Sequence, residues 1–299
     1  MNKSKIKNPY VIGILLVVVD SFFFSLMTVF VRLSGDLPTM QKAFFRNVVA
    51  SGAALFILAR SRDKFRIKEG ALPDLFKRAI LGTSALFCNF WAIDHVNLAD
   101  ANILNKMSPF FAIVFSIFVL AEVPNVVEIV TLIIAFMGAA FVVKPSFGSS
   151  MLPSLMGLMS GCFAGAGFTY VRKLGKNGER GPVIVAFFSI FSCLASIVLM
   201  LTDYKPMSIR QFVCLMLAGA CAAGGQFAVT AAYRFAPART ISVFDYSQVM
   251  FASLWGFLVF DELPDHYSVI GYVIIISMAA FKWFYALREE KHVKAQMHT

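Results

Sequence analysis

The sequence predicts an all-α integral membrane protein with ten transmembrane helices, arranged as two inverted five-helix repeats. Three observations lead to this prediction: the composition, the spacing of the apolar runs, and a similarity between the two halves. Of the 299 residues, 59% are hydrophobic and only 15% are charged, whereas soluble domains carry roughly 25% charged residues. The composition therefore excludes a disordered chain and an ordinary soluble domain.

The apolar runs have the length of membrane spans. A transmembrane helix needs about 20 apolar residues, and ten such runs, bounded by charges, Pro or Gly, fill nearly the whole chain. The predicted spans are 10–33, 40–59, 73–93, 99–121, 124–143, 151–172, 181–201, 210–233, 239–260 and 265–287. This arrangement leaves no room for an appended soluble domain.

The net charge of +10 indicates membrane topology rather than nucleic-acid binding, because cytoplasmic loops carry an excess of Lys and Arg. With both termini in the cytoplasm, 19 basic residues lie on the cytoplasmic side and five on the outer side. Arg78 counts among the 19, and Arg46, Lys106 and Lys282 lie within spans. We therefore predict a multi-pass protein of the bacterial inner membrane, with cytoplasmic N- and C-termini.

The two halves of the chain align without gaps at a shift of 140 residues. The clearest block pairs Phe111-Ala112 with Phe251-Ala252, and a Glu-x-Pro pattern recurs as Glu122-x-Pro124 and Glu262-x-Pro264. Each half has five spans. Because five is an odd number, the second half begins on the opposite side of the membrane and must be inverted relative to the first. Inverted repeats around a site at the midplane are typical of secondary transporters.

These features resemble a known family. The Ala-Phe-Phe-Arg string at Ala43–Arg46 and the two Glu-x-Pro patterns are similar to the EamA-like ten-helix members of the drug/metabolite transporter superfamily. The resemblance covers residues 10–287. It implies two EamA-like repeats, 10–146 and 150–287, with cytoplasmic tails at 1–9 and 288–299.

The same resemblance implies a function. It predicts a secondary transporter that moves a small amphipathic metabolite, an amino acid, an amine or a compound like S-adenosylmethionine, by alternating access. The stretch Phe244–Gln248 is similar to members proposed to take up S-adenosylmethionine, although Asp245 and Gln248 depart from their pattern. Amino acids, riboflavin, choline, nucleosides and drugs are further substrates in the family.

Ionisable residues within the spans are candidate functional residues, because each costs roughly 2.5 to 3.5 kcal/mol on insertion scales. Asp20 lies near the middle of the first span, where it would bind a substrate amine or exchange a proton. The alternative is a buried acid that only forms hydrogen bonds or pairs with a basic neighbour. Asp20 and Asp245 are the proton-coupling candidates.

A polar layer recurs in both halves. The repeat pairs Lys106 with Tyr246, Asn105 with Asp245, and Asn102 with Ser242. This pattern favours a central cavity over simple hydrogen bonding between helices. Aromatic faces attract cations, so we include aromatic residues in the site. The predicted substrate-binding residues are Asp20, Asn89, Trp91, Asn102, Asn105, Lys106, Tyr170, Gln226, Asp245, Tyr246 and Gln248.

Other polar residues have structural interpretations. Arg46 is expected to extend its charge to the membrane interface, or to pair with Asp20 or Glu122. Lys282, near the inner end of the last span, is expected to anchor at the interface. Glu122 and Glu262 are expected to cap the helices that follow them.

Two features of the backbone complete the prediction. Pro109 is expected to kink the fourth span. A four-residue spacing of Gly157, Gly161 and Gly165 predicts a seam of close helix packing.

The sequence predicts no cofactor, no metal and no nucleic-acid partner; the partners are a small-molecule substrate and membrane lipid, and both a monomer and a homodimer remain open. The main alternatives are a channel or scaffold without carrier activity and a membrane-embedded enzyme. The four histidines lie at loop or tail positions and no HExxH motif is present, so we predict that the protein is not an enzyme.

Overall fold

The computed structural model describes residues 9–95, 104–143, 151–261 and 263–296. These residues form ten helical segments and no strand. The segments are α1 (Pro9–Leu33), α2 (Thr39–Arg60), α3 (Leu72–His95), α4 (Ser108–Leu120), α5 (Val126–Val143), α6 (Met151–Lys176), α7 (Gly181–Thr202), α8 (Ile209–Phe235), α9 (Ala238–Phe260) and α10 (His266–Gln296).

Seven of the segments are long and apolar enough to cross a membrane, namely α1, α2 and α6 to α10. Two more, α4 and α5, are shorter apolar helices. The first turns of α3 carry Asp74, Lys77 and Arg78, which lowers its mean hydropathy. Hydrophobic side chains are exposed along these helices, among them Phe118, which is 79% exposed. The chain is a multi-pass membrane protein.

Hydrogen bonds from side chains fix the start of α5, and they correct one prediction. The Asn125 carboxamide oxygen accepts from the Glu128 backbone N–H at 2.8 Å, and Glu128 Oε2 accepts from the Asn125 N–H at 2.9 Å. This reciprocal pair is a capping box. The prediction that Glu122 caps α5 is therefore wrong. The first turn of α10 is similar, because Asp265 accepts from the Ser268 N–H at 3.0 Å.

The most extensive helix contacts all join residues 9–143 to residues 151–296. These contacts are α1 with α8, α3 with α6, α2 with α7, α5 with α10, α4 with α6, α2 with α8, α1 with α9, and α3 with α7. The two halves are therefore interleaved rather than side by side. They share one apolar core that includes Ile14, Val17, Val229 and Ile241.

The glycine seam of α6 packs against the start of α4. A β-carbon on Gly161 would lie 2.8 Å from the Leu104 carbonyl oxygen, and one on Gly165 would lie 2.6 Å from the Ala112 nitrogen. The Thr169 hydroxyl, one turn further on, donates to the Ala112 carbonyl at 3.2 Å. Only glycine allows the two backbones to approach this closely.

Lys282 does not reach the membrane interface as predicted. It is 1% exposed, and its ammonium lies 3.1 Å from Oε1 of Glu128, whose side chain is equally buried. The pair joins α10 to α5. Burial of the carboxylate explains the difference: Glu128 faces inwards because it caps α5, and a buried carboxylate needs a cation beside it.

Candidate functional site

An ion pair joins the two halves of the chain in the interior of the protein. The Lys106 ammonium lies 2.9 Å from Asp245 Oδ2 and donates to Gln248 Oε1 at 2.7 Å. Both charged side chains are largely buried, at 13% and 24% exposure. The sequence placed Lys106 and Asp245 in a polar layer and predicted Gln248 as a binding residue, and the structure brings the three into direct contact.

Both partners of this ion pair lie where a helix is interrupted. Leu104 and Asn105 are helical, Lys106 and Met107 form a turn, and α4 then begins at Ser108. In α9 a short α-helix ends at Ile241, and residues Ser242–Tyr246 form a 3₁₀ helix before the α-helix resumes. Irregular backbone at membrane depth is tolerated only where it is buried in protein or lines a cavity.

Hydrogen bonds at the two interruptions satisfy some of the backbone groups that the broken helices leave without intrahelical partners. The Tyr246 hydroxyl donates to the Lys106 carbonyl at 3.2 Å, and Tyr246 is fully buried. The Asn105 amide donates to Ser160 Oγ on α6 at 3.0 Å. Pro109 lies in the first turn of α4, where a missing N–H leaves no bond unmade. The fourth span is thus interrupted near the polar layer, as predicted, and the break lies at Lys106–Met107, just before Pro109.

Asp20 of α1 faces the same region. It is 2% exposed, and its Oδ2 atom has no hydrogen-bond partner among the described residues. The neighbouring Ser21 hydroxyl donates to the Asp245 carbonyl at 3.5 Å, which places α1 directly against the interruption in α9. An unpaired polar atom in the interior is costly, so this carboxylate is a candidate functional residue.

A cavity lies beside Asp20 between α1, α4, α6, α8 and α9. Its volume is about 10 Å³, which is enough for about one water molecule. The lining residues are Val17, Asp20, Ser108, Phe168, Val229, Tyr233, Ile241, Ser242 and Asp245. The walls thus combine two carboxylates and a tyrosine with apolar side chains, and a metabolite would enter only if the helices separated.

Two carboxyl groups and one ammonium lie at or beside this cavity. The charges of Asp245 and Lys106 both act on Asp20, so two carboxylates face one ammonium. A cationic group of a ligand, or a proton, would balance the second carboxylate. This balance is the main chemical property of the cluster.

Phe168 of α6 and Tyr233 of α8 form one wall of the cavity. Their rings stack with centroids 4.8 Å apart and planes 8° from parallel. Phe168 is not among the predicted binding residues. The four-residue glycine spacing that ends at Gly165 was the available signal for Phe168, because it shows that α6 approaches the centre closely.

The other predicted binding residues lie elsewhere. Trp91 stacks on His95 with ring centroids 4.0 Å apart, the Tyr170 ring lies 5.5 Å from the Lys77 ammonium, and the Gln226 amide donates to Thr230 at 3.5 Å. Asn89 Oδ1 is buried without a hydrogen-bond partner in the described chain. Asn102 and Glu262 fall outside the described residues.

A second ionic network lies below the cavity, where the α4–α5 loop meets α6 and α8. Glu122 Oε1 lies 3.2 Å from the Arg172 Nε atom and 3.3 Å from the Lys176 ammonium. Arg172 also donates to the Arg234 carbonyl at 3.0 Å. The function of Glu122 is therefore to bind the cations of α6, so it is available to neither Arg46 nor the start of α5.

An interleaved all-helical membrane fold with a charged cluster in its interior is common among membrane transporters. The family comparison agrees: the model of the EamA-like transporter family matches residues 11–144 and again residues 151–282. The chain belongs to this family, part of the drug/metabolite transporter superfamily. The family is one of transporters rather than enzymes.

Relatives with assigned functions are transporters. The chain is 33% identical to the pseudopaline exporter CntI of Pseudomonas aeruginosa, over 88% of this chain and 93% of that one. It is 22% identical to solute carrier family 35 member G1 of Homo sapiens (91% and 80% covered) and 24% identical to a riboflavin transporter of Brucella anthropi (82% and 88% covered).

A solved crystal structure has the same fold. It shares 14% sequence identity, superposes with a TM-score of 0.80, and covers 93% of this chain and 98% of that chain. The similarity to S-adenosylmethionine transporters remains a prediction.

Proposed function

We propose that the protein is a secondary transporter that moves a small amphipathic metabolite across the bacterial inner membrane by alternating access. The observation that carries the proposal is the cluster of Asp20, Lys106 and Asp245, which lies in the interior where α1, α4 and α9 meet. Charged groups at such depth mark the path of a substrate or an ion. Membership of the transporter family supports the same conclusion.

The helix contacts support two inverted repeats, 10–146 and 150–287, as the moving parts. Exchanging α1–α5 with α6–α10 maps the set of most extensive contacts onto itself: α1 with α8 becomes α6 with α3, for example, and α2 with α7 is its own equivalent. The left-handed backbone at Ala121 recurs 140 residues later at Asp261, with φ values of 54° and 55°. A pseudo-two-fold axis relates inverted repeats in this way.

The small cavity beside Asp20 and the Glu122 network are both closed in the structure, and they suggest how the halves separate. The cavity beside Asp20 holds only about one water molecule, and the Glu122 network lies below it. With both termini in the cytoplasm, as the positive-inside pattern predicts, Glu122, Arg172 and Lys176 form the inner gate. Breaking this gate would connect the cavity to the cytoplasm.

The charge balance of the cluster suggests which part of a substrate binds there. Asp20 is free to accept a hydrogen bond from an ammonium group, while Lys106 and Asp245 neutralise each other. Asp20 and Asp245 are also the groups through which a proton gradient would act. A metabolite with an amine, such as an amino acid derivative, fits this arrangement.

The test is uptake and exchange in proteoliposomes. The panel contains S-adenosylmethionine, amino acids, choline and riboflavin, each with and without a pH gradient, for the wild type and Asp20→Asn. We expect saturable flux of one compound, and loss of that flux in the variant. Loss of the pH-gradient stimulation alone would make Asp20 the proton site, and a folded wild type without flux would contradict the substrate list.

A further inference from the structure

Two arginines lie inside the protein, near the cluster of Asp20, Lys106 and Asp245. Arg78 of α3, which the sequence predicts on the cytoplasmic side, is 4% exposed. Its guanidinium carbon lies 4.2 Å from the centroid of the Phe188 ring. Arg46 of α2 lies 5.7 Å from the Phe24 ring, and its charge acts on that of Arg78.

Neither arginine has an anionic partner in the part of the chain that the structure describes. The Nε atoms of both are buried without a hydrogen bond, and no ion pair or hydrogen bond reaches either guanidinium from a described residue. The interior lysines differ, because Lys106 pairs with Asp245 and Lys282 with Glu128. Arg78 is buried and Arg46 is half-buried. Two like charges held in the interior without a counter-charge are costly, and a bound anion would lower that cost.

The space for the Arg78 head group is made by two glycines. A β-carbon on Gly82 would overlap the Arg78 guanidinium, and one on Gly167 would lie 3.3 Å from it. Gly82 is one turn beyond Arg78 on α3, and Gly167 belongs to α6. The guanidinium thus lies where α3 and α6 meet, which is one of the closest contacts between the two halves.

The arginines belong to one half only. The positions 140 residues further on are Ala186 and Ala218, which are both buried, at 5% and 1% exposure. Alanine fills these positions without any charge, so the scaffold itself does not require the arginines. A ligand with different ends would use such an asymmetry.

Phe168 connects the arginines to the cavity. Its ring centroid lies 5.8 Å from the Arg78 guanidinium carbon, it stacks on Tyr233, and it lines the cavity with Asp20. A rotation of this one ring would open the cavity towards Arg78. One small molecule would then contact Asp20 at one end and the arginines at the other.

We propose that Arg46 and Arg78 form an oxyanion-binding subsite that takes a carboxylate of the transported metabolite, while Asp20 takes its amine. The guanidinium presents N–H donors in a planar fork that matches the two oxygens of a carboxylate. The substrate class is therefore an amino acid derivative that carries at least one carboxylate in addition to the amine. This inference rests on the proposed transport function and specifies its substrate.

The first test measures binding without transport. The full chain in detergent is unfolded thermally with glutarate, glutamate, citrate, inorganic phosphate or putrescine, for the wild type, Arg46→Gln and Arg78→Gln. Arg60→Gln and Lys77→Gln are matched controls, because Arg60 on α2 and Lys77 on α3 are exposed. We expect a carboxylate to raise the Tm of the wild type and both controls, with about tenfold or more weaker apparent affinity in Arg46→Gln and Arg78→Gln.

Three results would overturn the subsite: no carboxylate raises the wild-type Tm, phosphate alone raises it, or Arg46→Gln and Arg78→Gln respond like the controls. If the glutamine variants do not fold, Arg46→Lys and Arg78→Lys are used, since both keep the charge but lose the fork. A weakened carboxylate response is then expected, and an unchanged response overturns the subsite.

Flux measurements separate the two proposals. If the wild type binds carboxylates but carries none in proteoliposomes, the transport function fails and the subsite stands. If the wild type carries glutamate as well as its decarboxylated amine, and Arg78→Gln keeps the same ratio, the transport function stands and the subsite fails.

Discussion

The two halves of the chain share one scaffold but differ in their interior charges. Each half matches the same family model, and each has an interrupted helix, with the equivalent residues Lys106 and Tyr246 both inside the interruptions. The charged residues Asp20, Arg46, Arg78 and Lys106 of the first half correspond to Ser160, Ala186, Ala218 and Tyr246 in the second. In the proposed transporter, the repeated backbone creates the central space, whereas the unshared charges decide what binds in it.

The largest expected effect comes from removing the charge of Asp20, one of the interior charges that have no equivalent in the second half. Asp20→Asn should lower kcat/KM for the transported compound by about 10- to 100-fold, because a hydrogen bond to a charged group contributes about 1.5–3 kcal/mol. The measurement is flux in proteoliposomes. Asp203→Asn, at an exposed position, should transport normally, and an equal loss in both variants would contradict the site.

The ion pair across the halves should be the next most sensitive feature. Lys106→Met or Asp245→Asn should each destabilise the protein by about 1.5–3 kcal/mol, because each leaves the other charge without its partner. The double variant should lose less than the sum of the two. Thermal unfolding of the four proteins tests this. Strictly additive losses would show that the two side chains do not interact.

Close packing between the halves gives a third test. Gly165→Ala should cost about 1–3 kcal/mol, since its β-carbon would lie 2.6 Å from two backbone atoms of α4. Gly52→Ala on α2 is the matched control, because its β-carbon would have no atom within 4 Å, and alanine there should stabilise the helix by up to about 1 kcal/mol. Equal Tm values for the two variants would argue against the seam.

The smallest effect is expected at the Glu122 network. Glu122→Gln should weaken the contact between the α4–α5 loop and α6 by about 1 kcal/mol, which raises the open population about fivefold. The measurement is thiol labelling of Ser242→Cys from the cytoplasmic side, in a chain whose five cysteines are replaced. Glu69→Gln, at an exposed loop position, is the control. Unchanged labelling in Glu122→Gln would mean that the network is not a gate.

The sequence predicted the polar layer because the repeat placed Lys106 opposite Tyr246 and Asn105 opposite Asp245. It did not predict how the interruptions before α4 and within α9 are held together, since this depends on hydrogen bonds between distant residues such as Tyr246 and Lys106. The prediction that Lys282 anchors at the membrane interface was wrong for a related reason. Its aromatic neighbours Trp283 and Tyr285 suggested an interface, while Glu128, 154 residues away in the chain, determines where its ammonium lies.

Composition and the spacing of apolar runs by themselves determined the membrane environment and the helical class, because a bilayer requires about 20 apolar residues for each helical span and satisfied backbone groups along it. The Ala43–Arg46 string and the two Glu-x-Pro patterns indicated the family by resemblance. Only the tertiary structure decided which interior charges have partners. Lys106 pairs with Asp245, whereas Asp20, Arg46 and Arg78 each have a buried atom without a hydrogen bond to any described residue. The physical reason is that a charge in the interior is neutralised by whatever lies within a few ångströms, and that distance is set by how the two halves interleave.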